Sequence, residues 1–229
     1  MIRFVTPADR NDLTAFVTRA CRVDELAVIR LRRRADGAVG AWVMSGFDVL
    51  AGRVIRAELD NPDVVYDGPA MVAALRADPS ASAVDAGFSI DSAWQAGALP
   101  PETGFGHVDD VPARTIVELS REGAHLARTQ AGPLGPPASL LEQTVIEVDD
   151  PRASGAAAVA VPMRAVFALT AMGFVRTVDG AQVTETSPIE AIAADEPVRI
   201  RATGVWARLD ARYGSVHVRR TAALAVTPT

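Results

Sequence analysis

Residues 110–139, DVPARTIVELSREGAHLARTQAGPLGPPAS, constrain this chain more than any other stretch, because they read as one long helix that stops at a corner no helix can continue through. Asp110 suits an N-cap, and Pro112 fits the first turn, where its missing N–H costs nothing. Gly132, Pro133, Gly135, Pro136 and Pro137 then end the helix and stiffen its exit. Ile116, Leu119, Gly123 and Leu126 share one side, widened by Ser120, Ala124, Ala127 and Ala131, so a neighbouring backbone can come close. Arg114, Glu118, Arg121, Glu122, His125 and Arg128 share the other, with opposite charges three and four residues apart. The pattern predicts an amphipathic helix over 111–131 that spans the core.

Asp-Gly pairs organise the chain on either side. Residues 26–34 and 38–46 alternate around Asp36-Gly37, and a two-residue turn there pairs Leu31 with Trp42 and Ile29 with Met44. That register gives one apolar face and leaves Arg30, Arg32 and Arg34 on the other. A third strand is expected over 49–57, a first helix opened by Thr6-Pro7-Ala8-Asp9, and a short helix opened by Gly68-Pro69. Beyond the long helix come strands at 144–148 and 158–161, a turn at 153–157, and an apolar helix over 163–172 closed by Gly173. A second hairpin over 174–186 turns at Asp179-Gly180. Ser187-Pro188-Ile189-Glu190 reads as a capping box opening a helix through Ala194. A meander over 198–220 puts Trp206, Arg208, Asp210 and Arg212 on one face, and 221–229 should fray. Residues 78–109 are irregular, with Phe88, Trp94 and Phe105 anchoring an ordered loop to the core.

Strands that come in adjacent runs, rather than alternating singly with helices, indicate an α+β fold: antiparallel sheets, as hairpins and a C-terminal meander, packed on a long central helix. The expected division is an N-terminal half over 1–100 and a C-terminal half over 101–229, or one continuous domain. With 49% apolar residues, 229 residues can bury a core without covalent staples.

Composition excludes several chemistries. All 23 basic residues are Arg, as codon bias in a GC-rich genome would produce, so no mechanism that needs a Lys amine is open to this chain. Cys21 is the one thiol, which rules out an internal disulfide and a thiolate zinc site. There is no Gly-x-Ser-x-Gly elbow, and Gly104-Phe-Gly106 lacks the third glycine of a dinucleotide fingerprint. No apolar run approaches membrane-spanning length and no signal-like start is visible, so the expected compartment is the cytoplasm. The net charge of −5 opposes a polyanion as default partner.

Two constellations carry chemistry. His107, Asp109, Glu122 and His125 include a Glu-x-x-His on the long helix, the form used in dimetal carboxylate bundles, and would suit a metal-assisted hydrolase. The form needs a second copy, which this sequence lacks. Arg30, Arg32 and Arg34, with Trp206, Arg208 and Arg212, combine guanidinium forks and aromatics as a partner surface or a single-stranded nucleic-acid surface does. With no cofactor motif present, the reading is a binding or assembly module that self-associates or takes a protein partner. The hydrolase stands as the alternative and nucleic-acid binding as the third.

Overall fold

The computed structural model describes residues 1–130, 138–150 and 158–220. The first half runs β1 (Ile2–Phe4), α1 (Pro7–Val23), β2 (Val28–Arg33), β3 (Val39–Ser45), β4 (Val49–Ile55), β5 (Ala57–Leu59), β6 (Asp63–Asp67), α2 (Gly68–Ala77) and β7 (Ala83–Val84). The second runs β8 (Gly106–Pro112), α3 (Ala113–Gln130), α4 (Ala138–Glu142), β9 (Thr144–Asp149), β10 (Ala158–Pro162), α5 (Met163–Ala171), β11 (Pro197–Ala202), β12 (Trp206–Ala211) and β13 (Gly214–Arg219). As the strand runs imply, this is an α+β fold whose sheets are antiparallel.

An eight-stranded sheet in the order β6-β2-β3-β4-β13-β12-β11-β8 joins the halves. Four strands come from the first half and four from the second, and the two runs meet where β4 pairs with β13, Ala51 opposite Val216. Period-two alternation sends Leu31, Ala41, Ala51, Val216, Leu209 and Ile200 into the core, all essentially inaccessible to solvent. Two smaller sheets, β5-β1-β7 and β10-β9, flank the large one.

The first hairpin leaves its ladder one residue earlier than expected. Arg34 N–H bonds Ala38 O at 2.9 Å and Asp36 accepts from Ala38 N–H, so the loop is Ala35-Asp36-Gly37, with Gly37 left-handed at φ 83°. The added loop residue shifts the ladder by one, and Arg30 lies opposite Trp42 and Leu31 opposite Ala41. Trp42 therefore leaves the core face and joins the arginines.

Helices cover the inner face in pairs. Thr6 caps α1 by accepting Asp9 N–H at 3.2 Å, and Asp67 caps α2 by accepting Ala70 N–H at 2.8 Å. In the first half α1 packs on α2, and in the second α3 packs on α5, where Gly123 lets the Met163 and Phe167 side chains lie against the α3 backbone. The small-residue seam of the long helix is thus a contact with one neighbour. That helix is not a spine for the whole molecule, since α1 and α5 cover β3, β4, β12 and β13. Asp110 does not cap it: β8 continues to Pro112, Asp110 pairs with Arg199 on β11, and Ala113 N–H is satisfied by Glu196 O at 2.8 Å.

Two other elements are shorter than their sequence pattern. Around Asp179-Gly180 the ladder is a single bridge, Arg176 to Gln182. Ser187 directs its hydroxyl to Thr184 N–H at 2.9 Å rather than forward, and the following helix is one 3-10 turn over Ile189–Ala191. The Gly/Pro corner at 132–137, the turn at 153–157 and the tail at 221–229 lie outside the described residues.

Candidate interaction face

The outer face of the large sheet, opposite the helices, collects the polar and aromatic residues that alternate with the core. Reading across the join, Arg30 pairs with Trp42, Trp42 with Gly52, Gly52 with Ser215, and Ser215 with Asp210. The next row holds His217, Arg208 and Arg201. The arginines singled out on two separate strand runs are therefore neighbours on one surface, brought together by the β4–β13 join.

Trp42 lies flat on that surface because Gly40 and Gly52 have no side chains; a Cβ at either would come within 2.6 Å of the indole. His217 packs against it at 5.2 Å between ring centroids, and Phe105 meets His217 edge-on at 5.8 Å. Burial, and secondarily the Arg208 charge, push the His217 pKa down to about 3, so the imidazole is neutral. Its Nε2 lies 3.1 Å from the Ser215 hydroxyl, while Nδ1 is buried with no hydrogen-bond partner.

The connection between the halves crosses this face. Trp94 Nε1 donates to Gly97 O at 2.9 Å, and Arg30 sits 5.4 Å over the Trp94 ring. Pro100 is buried, and Glu102 accepts from Ala35 N–H at 2.9 Å. Phe105 is capped by Arg208 at 5.3 Å. The aromatics of the irregular stretch thus split: Trp94 and Phe105 anchor it, whereas Phe88 is 95% exposed.

Most guanidiniums on the face are matched. Arg30 holds Asp63 through two bonds of 2.7 Å, Arg34 pairs with Asp36 at 3.0 Å, and Arg208 and Arg201 share Asp210 at 2.5 and 3.4 Å. Arg212, in the β12–β13 turn, faces Glu196 at 3.8 Å. Arg219 lies over Trp206 at 4.6 Å. This is a neutralised, stacked surface, unlike the uncompensated cationic groove that tracks a phosphate backbone.

The metal candidates do not assemble. His107 and Asp109 are on β8, where His107 Nε2 pairs with Asp110 at 3.0 Å, and Glu122 and His125 lie exposed along α3. Among the described residues no group of three or more His, Cys, Asp or Glu side chains could hold a metal ion. The fold gives the hydrolase reading no support. The role of Trp42, Ser215 and His217 was invisible in sequence because it depends on a hairpin register and on a join between strands far apart in the chain.

The architecture, antiparallel sheets continued edge to edge across two helix-backed halves, is similar to that of solved DNA polymerase III beta subunits and sliding clamps. A crystal structure described as a DNA polymerase III beta subunit from Eubacterium rectale superposes with a TM-score of 0.57 at 13% identity, over 96% of this chain and 64% of that one. The Caulobacter crescentus pol III beta (0.53, 14%, 96% and 65%) and the Bacillus subtilis sliding clamp (0.53, 12%, 95% and 63%) are similar in the same way. The chain spans less than two thirds of the length of these structures, and at such identity the likeness is one of fold. The chain itself belongs to the family described as domain of unknown function DUF8185, which matches residues 100–223, and residues 1–96 match domain of unknown function DUF8010. No curated protein matches the sequence. Among the described residues no helix is long and apolar enough to cross a membrane.

Proposed function

We propose that this chain is a non-enzymatic assembly module of two clamp-like units, 1–100 and 101–229, that associates with further copies of itself by strand pairing at its smaller sheets. The observation that carries the reading is the β4–β13 join, in which edge strands from the two halves continue one sheet. The same device is open to β9, which spans six residues and, among the described residues, pairs with β10 alone. Ile146 and Val148 pack against the core from one face of β9, opposite Val161 and Val159, and Val145 packs from the other, so its backbone is held extended as a template. Some of the solved structures with this fold, the Bacillus subtilis one among them, are titled sliding clamps, which suits an assembly role. Against nucleic acid as the partner stand the net charge of −5 and the acid-paired arginines of the outer face.

Light scattering after size exclusion tests the reading, combined with hydrogen exchange at low and high protein concentration. The expected result is a concentration-dependent oligomer with slowed amide exchange confined to β9 and β10. A monomer throughout, or an oligomer protected elsewhere, overturns pairing at these strands. A duplex-DNA gel shift that survives physiological salt would make nucleic acid the partner instead.

A further inference from the structure

Where the connection between the halves passes over Trp42, it leaves a cavity of about 320 Å³. Arg32, Arg34 and Trp42 line it from the sheet, and Leu99, Pro100, Pro101 and Glu102 line it from the connection, which serves as its roof. A smaller recess of about 30 Å³ opens beside it between Trp42, Pro101, Arg208 and His217. The larger volume is at the lower end of the range for small-molecule sites, too small for a folded partner.

The chemistry of the lining is selective. Trp42 presents a flat ring to a cavity that Leu99, Pro100 and Pro101 also line, so a planar ring is the natural occupant. Arg32 is the less neutralised of the two arginines in the lining: it reaches Asp63 only at 3.9 Å, and that carboxylate is already held by Arg30, whereas Arg34 pairs with Asp36 at 3.0 Å. Glu102 uses one oxygen, Oε2, for Ala35 N–H, leaving Oε1 to accept from a ligand hydroxyl or amine. His217 contributes a buried Nδ1 that no protein group satisfies, and the recess beside it has room for a single bridging water. Gly97 and Gly104, both left-handed at φ 70° and 84°, bracket the roof segment and give it defined corners.

We propose that the cavity between Trp42 and residues 99–102 is a mononucleotide site, with the base stacked on Trp42, the phosphate on Arg32 and Arg34, and a ribose hydroxyl or exocyclic amine on Glu102. Ring, anion and hydrogen-bond donor are all needed, and a nucleoside monophosphate is the compact molecule that carries them together.

Calorimetric titration of the full chain with AMP and UMP, beside adenosine, ribose 5-phosphate and inorganic phosphate, tests it. The expected outcome is binding of a nucleoside monophosphate, with adenosine and ribose 5-phosphate each at least about tenfold weaker, since each lacks one of the two anchors. Arg32→Gln should weaken the nucleotide about tenfold, as loss of a charge-assisted contact does. Trp42→Phe should bind less tightly than wild type but more tightly than Trp42→Leu, an order that a general loss of folding would not produce. Arg212→Gln, outside the cavity, should bind as wild type. No heat from either nucleotide at millimolar concentration overturns the proposal. So does equal affinity for inorganic phosphate and nucleotide, or unaltered binding by Arg32→Gln.

Discussion

Gly52 stands directly opposite Trp42 in the β3–β4 ladder, and the indole rests on it so closely that an added Cβ would lie 2.6 Å from ring carbon Cζ3. A glycine within a strand ordinarily weakens it, because it brings no side chain to pack and loses more freedom on folding. Here the missing side chain is the space the tryptophan occupies. Gly52→Ala should therefore destabilise the protein by about 1–3 kcal/mol, the usual cost of overpacking, and not gain from the added methyl. Urea denaturation measures the loss, and a changed near-ultraviolet signal would report the displaced indole.

His217 makes stability depend on pH in a window of its own. Its folded pKa, about 3, is below the ordinary value of 6.5, so between those values the unfolded chain takes up a proton that the folded chain refuses. Stability from this group is fully present above pH 6.5 and is lost as pH falls towards 3, with a limiting slope of about 1.4 kcal/mol per unit. His217→Asn should flatten the wild-type decline between about pH 6.5 and 5.5, where ordinary Asp and Glu side chains, near about 3.9 and 4.3, stay almost fully ionised. Denaturation midpoints at four pH values for both proteins would show it, and parallel curves would refute it.

Arg10 ties the first two helices together from inside the core. Only 3% exposed, it donates to Pro79 O at 2.6 Å, to Asp78 O at 2.5 Å and to Leu75 O, so one guanidinium satisfies the carbonyls at the end of α2. Arg10→Met keeps the stem and strands those acceptors; water can reach the Asp78 and Pro79 carbonyls, so the cost should be that of the one buried acceptor, Leu75 O, about 1–3 kcal/mol. Faster amide exchange at 75–80 should accompany the loss.

Gly123 separates two opposing effects on α3. Alanine there would gain about 1 kcal/mol of helix propensity, while its Cβ would meet the flexible end of Met163 at 2.7 Å and the Phe167 ring tip at 2.9 Å. Those terms nearly offset, so Gly123→Ala should change the thermal midpoint little. Gly123→Leu cannot be accommodated by moving one methyl and should prise α3 from α5, with a loss of more than about 2 kcal/mol.

How far the sequence could be read divides along physical lines. Period-two runs and turn glycines located β2, β3, β4, β11, β12 and β13, because alternation reports burial strand by strand. Register was harder to see. Asp36-Gly37 fits both a two-residue and a three-residue turn, and the difference moves Trp42 from one face of the sheet to the other. Asp110 could cap a helix or extend a strand, and the choice was made by β11, remote in the chain. Of the outer face, the arginines and Trp206 were legible as a bunching of residue types; Trp42, Ser215 and His217 were not, since only the β4–β13 join makes them neighbours.

That join has one more consequence. No peptide bond links β4 to β13 locally; the covalent path between them is long, and the ladder of Gly52, Ala51 and Leu50 against Ser215, Val216 and His217 makes contact as two separate molecules would. A single proteolytic nick in the exposed stretch at 103–104 would leave the ladder and the shared core in place, so the two pieces should migrate together under native conditions and come apart only in denaturant.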